Sequence, residues 1–377
     1  MNIRNTRIRI RRPVARRTAT ALAMSAVALS LVSCGGEGGT GSAASSAKGD
    51  DITVGLLLPE KENARYEKFD HPIIEDKVAE LTSGKGQVAY ANAEGDADRQ
   101  NEQLDQMIAD KVDVLLLDAV DAEAIESGVQ KAKDAGIPVI AYDRLAQGPI
   151  DAYVSFDNEL VGEVQGRALA DALGNDGGKI VMMNGATTDP NTALFRAGAT
   201  AELQDRVTIA KTYDTKDWSP ANAKANMEDA IEAVGLDGIA GVYAANDGIA
   251  GAVIDALKAA GVSKVPPVTG QDAELAAVQR ILTGDQFMSV YKSYPQEASA
   301  AAEMAVARVQ NRSIEFDALS RDKVDSPTHE DIPAQLVPVV ALTKENIGDT
   351  VVADEIYTVE EICAGRYREA CAEAGLR

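Results

Sequence analysis

Seven side chains with hydrogen-bonding or stacking chemistry, Arg65, Arg144, Asn191, Trp218, Asn246, Asp272 and Lys292, each follow closely on a short apolar run. Asp143 beside Arg144 and Tyr66 beside Arg65 extend the set. Arginine, asparagine and aspartate are planar groups that engage two neighbouring hydroxyls at once, and lysine adds a multi-donor ammonium. In a parallel α/β sheet the ligand crevice lies outside the carboxyl ends of the strands, so residues spread from 65 to 292 can converge on one site. The pattern predicts a pocket for a small polyhydroxylated molecule, gripped at its hydroxyls and covered on its C–H face by an aromatic ring such as Trp218.

The elements that must position these groups follow from apolar periodicity. Strand-like runs at 52–58, 87–91, 112–117 and 138–141 alternate with helix-length amphipathic stretches, and a second series follows at 179–183, 207–210, 238–243, 268–270 and 287–291. Such spacing is that of βα units in a parallel sheet. With about 325 residues to fold, one core is too few. The chain is expected to be α/β with two Rossmann-like lobes, 51–156 plus 294–336 and 157–293 plus 337–377, joined by three hinge crossovers near 153–158, 293–296 and 334–340.

The N-terminus carries an address. Residues 1–33 hold seven arginines and no acid, followed by a mainly apolar run from 19 to 32, too short to span a bilayer as a helix. The run ends in Leu31-Val32-Ser33-Cys34-Gly35, similar to a bacterial lipoprotein signal, so Cys34 is the expected lipidation site and mature N-terminus. Arg11-Arg12 sits in a poor context for twin-arginine export. Gly, Ser, Ala and Thr dominate 35–48, and 34–50 reads as a flexible tether holding an extracytoplasmic body off the outer face of the membrane.

Composition excludes several classes. The whole chain has 37 basic and 59 acidic residues, and loss of 1–33 takes the net charge to about −29, which leaves no basic surface for nucleic acid. Only His71 and His329 are present, with no zinc spacing, no Ser-His-Asp set, no Gly-x-Ser-x-Gly elbow and no phosphate loop. Glu94, Asp96, Asp98 and Glu102 fit no calcium loop and read as a solvated acidic turn, so no metal or cofactor is expected. Asp143 and Asp272 could in principle pair as a glycosidase does, but surrounding Arg, Asn and Lys would keep both ionised as acceptors. Asn246-Asp247 before a helix divides into a ligand group, Asn246, and a helix cap, Asp247.

Seven segments in order resemble the D-xylose-binding branch of the type I periplasmic sugar-binding proteins and its multi-sugar relatives. They are Ala64-Arg65-Tyr66, Ala141-Tyr142-Asp143-Arg144, Ser155-Phe156-Asp157-Asn158, Asp189-Pro190-Asn191 with Leu194-Phe195-Arg196-Ala197-Gly198, Ala245-Asn246-Asp247, Gly270-Gln271-Asp272-Ala273-Glu274 and Val290-Tyr291-Lys292. The resemblance runs from about 52 to 358. It implies a monomeric receptor whose two lobes close on a monosaccharide, D-xylose first, and hand it to an ABC permease in the membrane. A glucose, galactose or arabinose receptor feeding a sensory system is the alternative, and a secreted glycosidase the more distant one. It also implies that Arg65, Asp143, Arg144, Asn191, Asn246, Asp272 and Lys292 contact the sugar. Tyr66 stands where the family commonly has Trp.

The remaining cysteines, Cys363 and Cys371, lie in a tail the family generally lacks. In an oxidising compartment a disulfide is expected. On one continuous helix the two would be roughly 12 Å apart, beyond the roughly 4.4–6.8 Å a bridge spans, so the chain is expected to turn back at Gly365.

Overall fold

A computed structural model describes residues 47–376; the export signal, Cys34 and most of the tether lie outside them. Five strands open the chain: β1 (Thr53–Leu58), β2 (Gln87–Asn92), β3 (Val114–Leu117), β4 (Val139–Tyr142) and β5 (Ala152–Phe156). They run parallel in the order β2-β1-β3-β4-β5. The sequence dictates the order of burial. Val114-Leu115-Leu116-Leu117 is apolar on both faces and buried throughout, as a central parallel strand must be when helices cover both sides, whereas β2 is a half-buried edge.

A second body follows: β6 (Lys179–Asn184) between β7 (Thr208–Asp214) and β8 (Gly241–Ala244), all parallel, and then β9 (Ser289–Lys292). The chain returns to the first sheet through β10 (Asp322–Val324) and β11 (Ile332–Val337), which pairs parallel with β5, and then leaves it again for β12 (Val339–Leu342), antiparallel to β9. It therefore passes between the bodies at Asp157, Ser293 and Pro338. The run at 268–270 is not a strand: Val268 makes one isolated bridge to Val242, and its neighbours serve instead to link β8 with the β9 edge.

Capping explains where the helices start. Asp96, Asp157, Asp189 and Asn246 each accept a backbone N–H of the helix that follows, satisfying a donor with no intrahelical partner. The cap at Asp96 starts that helix at Ala97, so Asp96 and Asp98 of the acidic turn form its cap and part of its first turn. Glu94 of the same acidic turn pairs with Lys61 and Arg99. At the other end of the tether the chain is already tied down, with Lys48 paired to Asp113 and Asp50 accepting from Gln310.

After β12 the chain packs on the helix Leu275–Thr283, where Ile347, Val351, Ile356, Tyr357, Ile362 and Cys371 share a core with Val278, Ile281 and Leu282. Cys363 and Cys371 are bonded, their Cα atoms 5.8 Å apart. The reversal between them falls at Gly365, whose φ of +59 suits a residue without Cβ. Among the described residues no helix is long and apolar enough to cross a membrane.

The helices Asn158–Leu173 and Pro190–Leu203 touch backbone to backbone. A Cβ on Gly162 would lie 2.0 Å from the Phe195 carbonyl oxygen, and one on Gly198 would lie 2.0 Å from that of Glu159. Neither backbone can yield without parting the helices. Gly198→Ala is therefore expected to lower stability by roughly 1–3 kcal/mol or more, read as a melting temperature several degrees below wild type; an unchanged melting curve would contradict this close approach.

Candidate functional site

All nine residues singled out by the sequence line one cleft between the two bodies. Each sits where a strand ends or a helix begins, so fold topology and not sequence proximity brings them together. Asp143, Trp218 and Asp272 hold positive φ values of 56, 55 and 94. Non-glycine residues in that region are uncommon and cluster where surrounding structure fixes a functional geometry.

The first wall is built around Arg65, which is buried at the start of the helical turn Tyr66–Asp70. Its Nε donates to Asp70 at 2.8 Å, Nη1 to Asp143 at 2.7 Å and Nη2 to Glu297 at 2.5 Å. The rings of Tyr294 and Tyr66 lie 4.4 and 5.2 Å from the guanidinium carbon. Burial drives the Asp70 and Glu297 carboxyls upward despite the guanidinium beside them. For Asp143 the balance reverses. Burial pushes it up, but Arg65, Lys292 and Arg144 together hold it below the usual carboxylate range, so it stays an anionic acceptor.

Arg144 is buried beside it. Nε lies 3.4 Å from Asp118 and 3.0 Å from Asp189, and Nη1 donates to the Ala119 carbonyl at 3.0 Å. Tyr66 brings its hydroxyl within 3.5 Å of Arg144 Nη2, with burial pushing that phenol well up.

The second wall carries Asn191, Trp218, Asn246, Asp272 and Lys292. Asn191 accepts from Asn158 at 2.9 Å and donates across the cleft to the Asp143 carbonyl at 3.1 Å. Trp218 donates its indole N–H to Asp189 at 3.2 Å and meets Phe195 edge to face at 6.4 Å, which fixes the plane of its ring. Lys292 ends β9 and pairs with Asp272 at 2.8 Å. Asp272 also accepts from Asn63 of the first wall at 3.1 Å.

Of the expected division, Asn246 lines the cleft as expected, but the cap is not Asp247. Asn246 itself is the cap, accepting from Ile249 N at 2.9 Å, while the same residue lines the cleft. Asp247 is fully buried one residue on, where it accepts from Gln286, Ser289 and the Glu274 backbone N–H. The cap must sit just outside the helix with extended backbone, a place Asn246 occupies and Asp247 does not.

Several cleft residues were not singled out by the sequence reading, although Asp189, Gln271 and Glu274 lie within the family-like segments. Glu60, Asn63, Asp189, Gln271 and Glu274 line it as well. Gln271 is buried with its Oε1 unpartnered, an acceptor left for a guest. The clues were adjacency to Asp272 and, for Asp189, a position just before Pro190 at a helix start. Glu274 is pushed up to about 8 by burial and by Asp247 and Asp272, and Asp247 to about 7 by burial against the pull of Arg280. Among the described residues no cluster of His, Cys, Asp and Glu has a geometry to hold a metal ion.

The arrangement pairs every buried cation of the cleft with carboxyl groups: Arg65 with Asp70, Asp143 and Glu297, Arg144 with Asp118 and Asp189, and Lys292 with Asp272. Comparison with known proteins agrees with that geometry. The periplasmic binding protein domain family matches residues 54–313. The D-xylose-binding periplasmic protein of Haemophilus influenzae is 35% identical over 84% of this chain and 94% of its own length. That of Escherichia coli is 34% identical over 84% and 94%. A solute-binding protein of an ABC transporter from Clostridium phytofermentans, solved with bound beta-D-glucose, superposes with a TM-score of 0.73 at 26% identity, covering 82% of this chain and 99% of that one. On the strength of its two parallel bodies, the cleft between them and these matches, the chain belongs to the periplasmic binding protein domain family and has its type I fold.

Proposed function

We propose that this chain is the extracytoplasmic receptor of an ABC sugar importer, tethered to the outer face of the cell membrane through a lipidated Cys34 and acting as a monomer. Its ligand is one free monosaccharide, D-xylose in the first place, enclosed between lobes that hinge at Asp157, Ser293 and Pro338. The closed form is what the membrane permease recognises. It is not an enzyme.

One observation carries this reading: nine hydrogen-bonding or aromatic side chains from seven separate loops converge on a single cleft. Their chemistry matches a neutral polyol. Anionic acceptors at Asp143 and Asp272, amide and guanidinium donors at Asn191, Asn246, Arg65 and Arg144, and a fixed indole at Trp218 together answer hydroxyls that both donate and accept, and a C–H face that needs an apolar cover. Both family relatives above bear the name of D-xylose, whereas the Clostridium phytofermentans protein holds a hexose. Tyr66 brings a hydroxyl into the first wall, 3.5 Å from Arg144 Nη2, where it can meet a sugar hydroxyl.

Isothermal titration of residues 50–377 against a panel of pentoses and hexoses tests the reading, with saturable one-to-one binding of D-xylose expected. Asp272→Ala strands a buried Lys292 charge and should weaken binding at least a hundredfold. Trp218→Ala removes the ring cover and should cost about ten- to hundredfold. No binding across the panel, or wild-type affinity in both variants, would overturn the assignment.

The raised acids of the cleft give a second test. The carboxyl of Glu274 titrates near 4.5 when unfolded and near 8 when folded, so the folded state holds the extra proton between those values. Stability contributed by that proton is present below about pH 4.5 and is lost as pH rises toward 8. Thermal denaturation of the sugar-free protein between those limits should show the decline, and Glu274→Gln should flatten it. A Glu274→Gln profile parallel to wild type would count against a neutral Glu274.

A further inference from the structure

The C-terminal segment around the Cys363–Cys371 bond, beginning where the family resemblance ends, is docked on the second lobe yet touches the first. Helix Leu275–Thr283 holds it from below, with Gln279 donating to the carbonyls of Glu361 and Ile362 at 3.3 and 3.2 Å, and the Cys363–Cys371 bond closes its end. From this platform two side chains reach the helical turn that carries Arg65 and Tyr66. The Lys68 ammonium lies 4.6 Å from the ring centre of Tyr357 and 5.0 Å from that of Phe69, and 3.8 Å from the Glu361 carboxylate. Phe69 meets Tyr357 edge to face at 5.9 Å. One lobe supplies Lys68 and Phe69, the other Tyr357 and Glu361.

Between them lies a side chamber that opens beside the sugar cleft. It shares Asn63, Arg65, Asp272 and Glu274 with the cleft, and Tyr357 and Tyr294 form its outer wall. The Asn63–Asp272 hydrogen bond stands between the two spaces. We infer that the disulfide-closed tail is a clasp: by gripping Lys68 and Phe69 across the lobe boundary, Tyr357 and Glu361 seal the flank of the cleft and slow release of the sugar. The inference rests on the sugar-receptor reading above. Tyr357, Phe69 and Lys68 are thus positioning residues, since none of them lines the sugar cleft itself.

A contact between lobes stabilises only the closed state, so its loss should appear in dissociation and not in encounter. A ring pair and a cation over two rings account for about a tenfold effect. Stopped-flow measurement of Trp218 fluorescence with D-xylose should therefore give Phe69→Ala and Tyr357→Ala release rates about tenfold above wild type with the association rate unchanged. The double variant should be no faster than the faster single one, because both remove one shared contact. Tyr357 is also part of the tail core, so Lys68→Ala, on a half-exposed side chain, provides the variant that cannot act through folding and should release about threefold faster. Replacing both Cys363 and Cys371 by Ala should shift release in the same direction by loosening the platform. If wild type binds sugar and Lys68→Ala and Phe69→Ala release it at the wild-type rate, the clasp is wrong while the receptor stands. If wild type binds none of the sugars, both fall together.

Discussion

A guanidinium taken out of water must be paired, and Arg65 is paired three times. Its partners come from separate parts of the chain: Asp70 from its own turn, Asp143 from the end of β4 and Glu297 from the helix entered after the crossing at Ser293. One buried cation therefore ties together the loop after β1, the loop after β4 and the returning helix. Replacing it would leave carboxyls facing each other with no counter-charge, the costly half of a broken buried pair. The first wall of the cleft is stiff because this single group cannot move without stranding the others. That stiffness is what lets Asp143 and Arg144 present fixed hydrogen-bonding directions to a guest.

The same rule explains how the lobes could part. Each buried charge of the cleft has a counter-charge or donor within its own lobe. Arg65 has Asp70, Glu297 and Asp143; Arg144 has Asp118; Lys292 has Asp272; Asp189 has the Trp218 indole N–H and the Asn191 backbone N–H. The contacts that cross between the lobes include Asn63 to Asp272, Asn191 to the Asp143 carbonyl and carboxylate, Arg144 to Asp189, the Tyr294 hydroxyl to the Asp272 carbonyl, and Lys68 and Phe69 to Glu361 and Tyr357. Separating the lobes exposes those groups to water without orphaning a buried ion. Opening is then a matter of a few hydrogen bonds, each of modest net value, and a ligand that contacts both walls supplies the differential needed to favour closure.

Much of this was legible because strand ends announce themselves. An apolar run followed by Arg, Asp, Asn or Lys identifies a loop at the carboxyl edge of a parallel sheet, and Arg65, Asp143, Arg144 and Asn191 met that description, whereas Lys292 ends a strand paired antiparallel and Asp272 follows a run that forms no strand. Topology supplied the convergence. What stayed hidden depends on partners remote in sequence. Glu297 lies in an alanine-rich helix and reads as a surface acid, yet it is fully buried because it meets a guanidinium 232 residues earlier. Asn63, in a charged stretch, gains its role only from Asp272 on the facing wall. The move of the cap from Asp247 to Asn246 was hidden for a local reason, since both types cap helices equally well and only the buried Gln286 and Ser289 draw the Asp247 carboxylate inward. The strand expected at 268–270 failed for want of a partner: apolar composition there serves a link between two sheet edges.

The surplus of acids around the cleft has a consequence for the kind of solute it can hold. Arg65, Arg144 and Lys292 are outnumbered by Asp70, Asp118, Asp143, Asp189, Asp272 and Glu297, all buried. Burial drives the Asp118, Asp70, Asp189 and Glu297 carboxyls upward, while the neighbouring cations hold Asp143 down. An anionic guest would have to compete with carboxylates already placed on each cation, and a cationic one would have to displace a cation from its partners. A neutral guest disturbs neither balance, since it exchanges its own hydration for hydrogen bonds that carboxyls, amides and guanidinium edges can all supply. The Asp143 acceptor and the Arg65, Arg144 and Tyr66 donors are then present within one wall, matching a molecule in which every hydroxyl is at once donor and acceptor. Selectivity for an uncharged polyol thus follows from charge matching among the walls, before any contact particular to one sugar is counted.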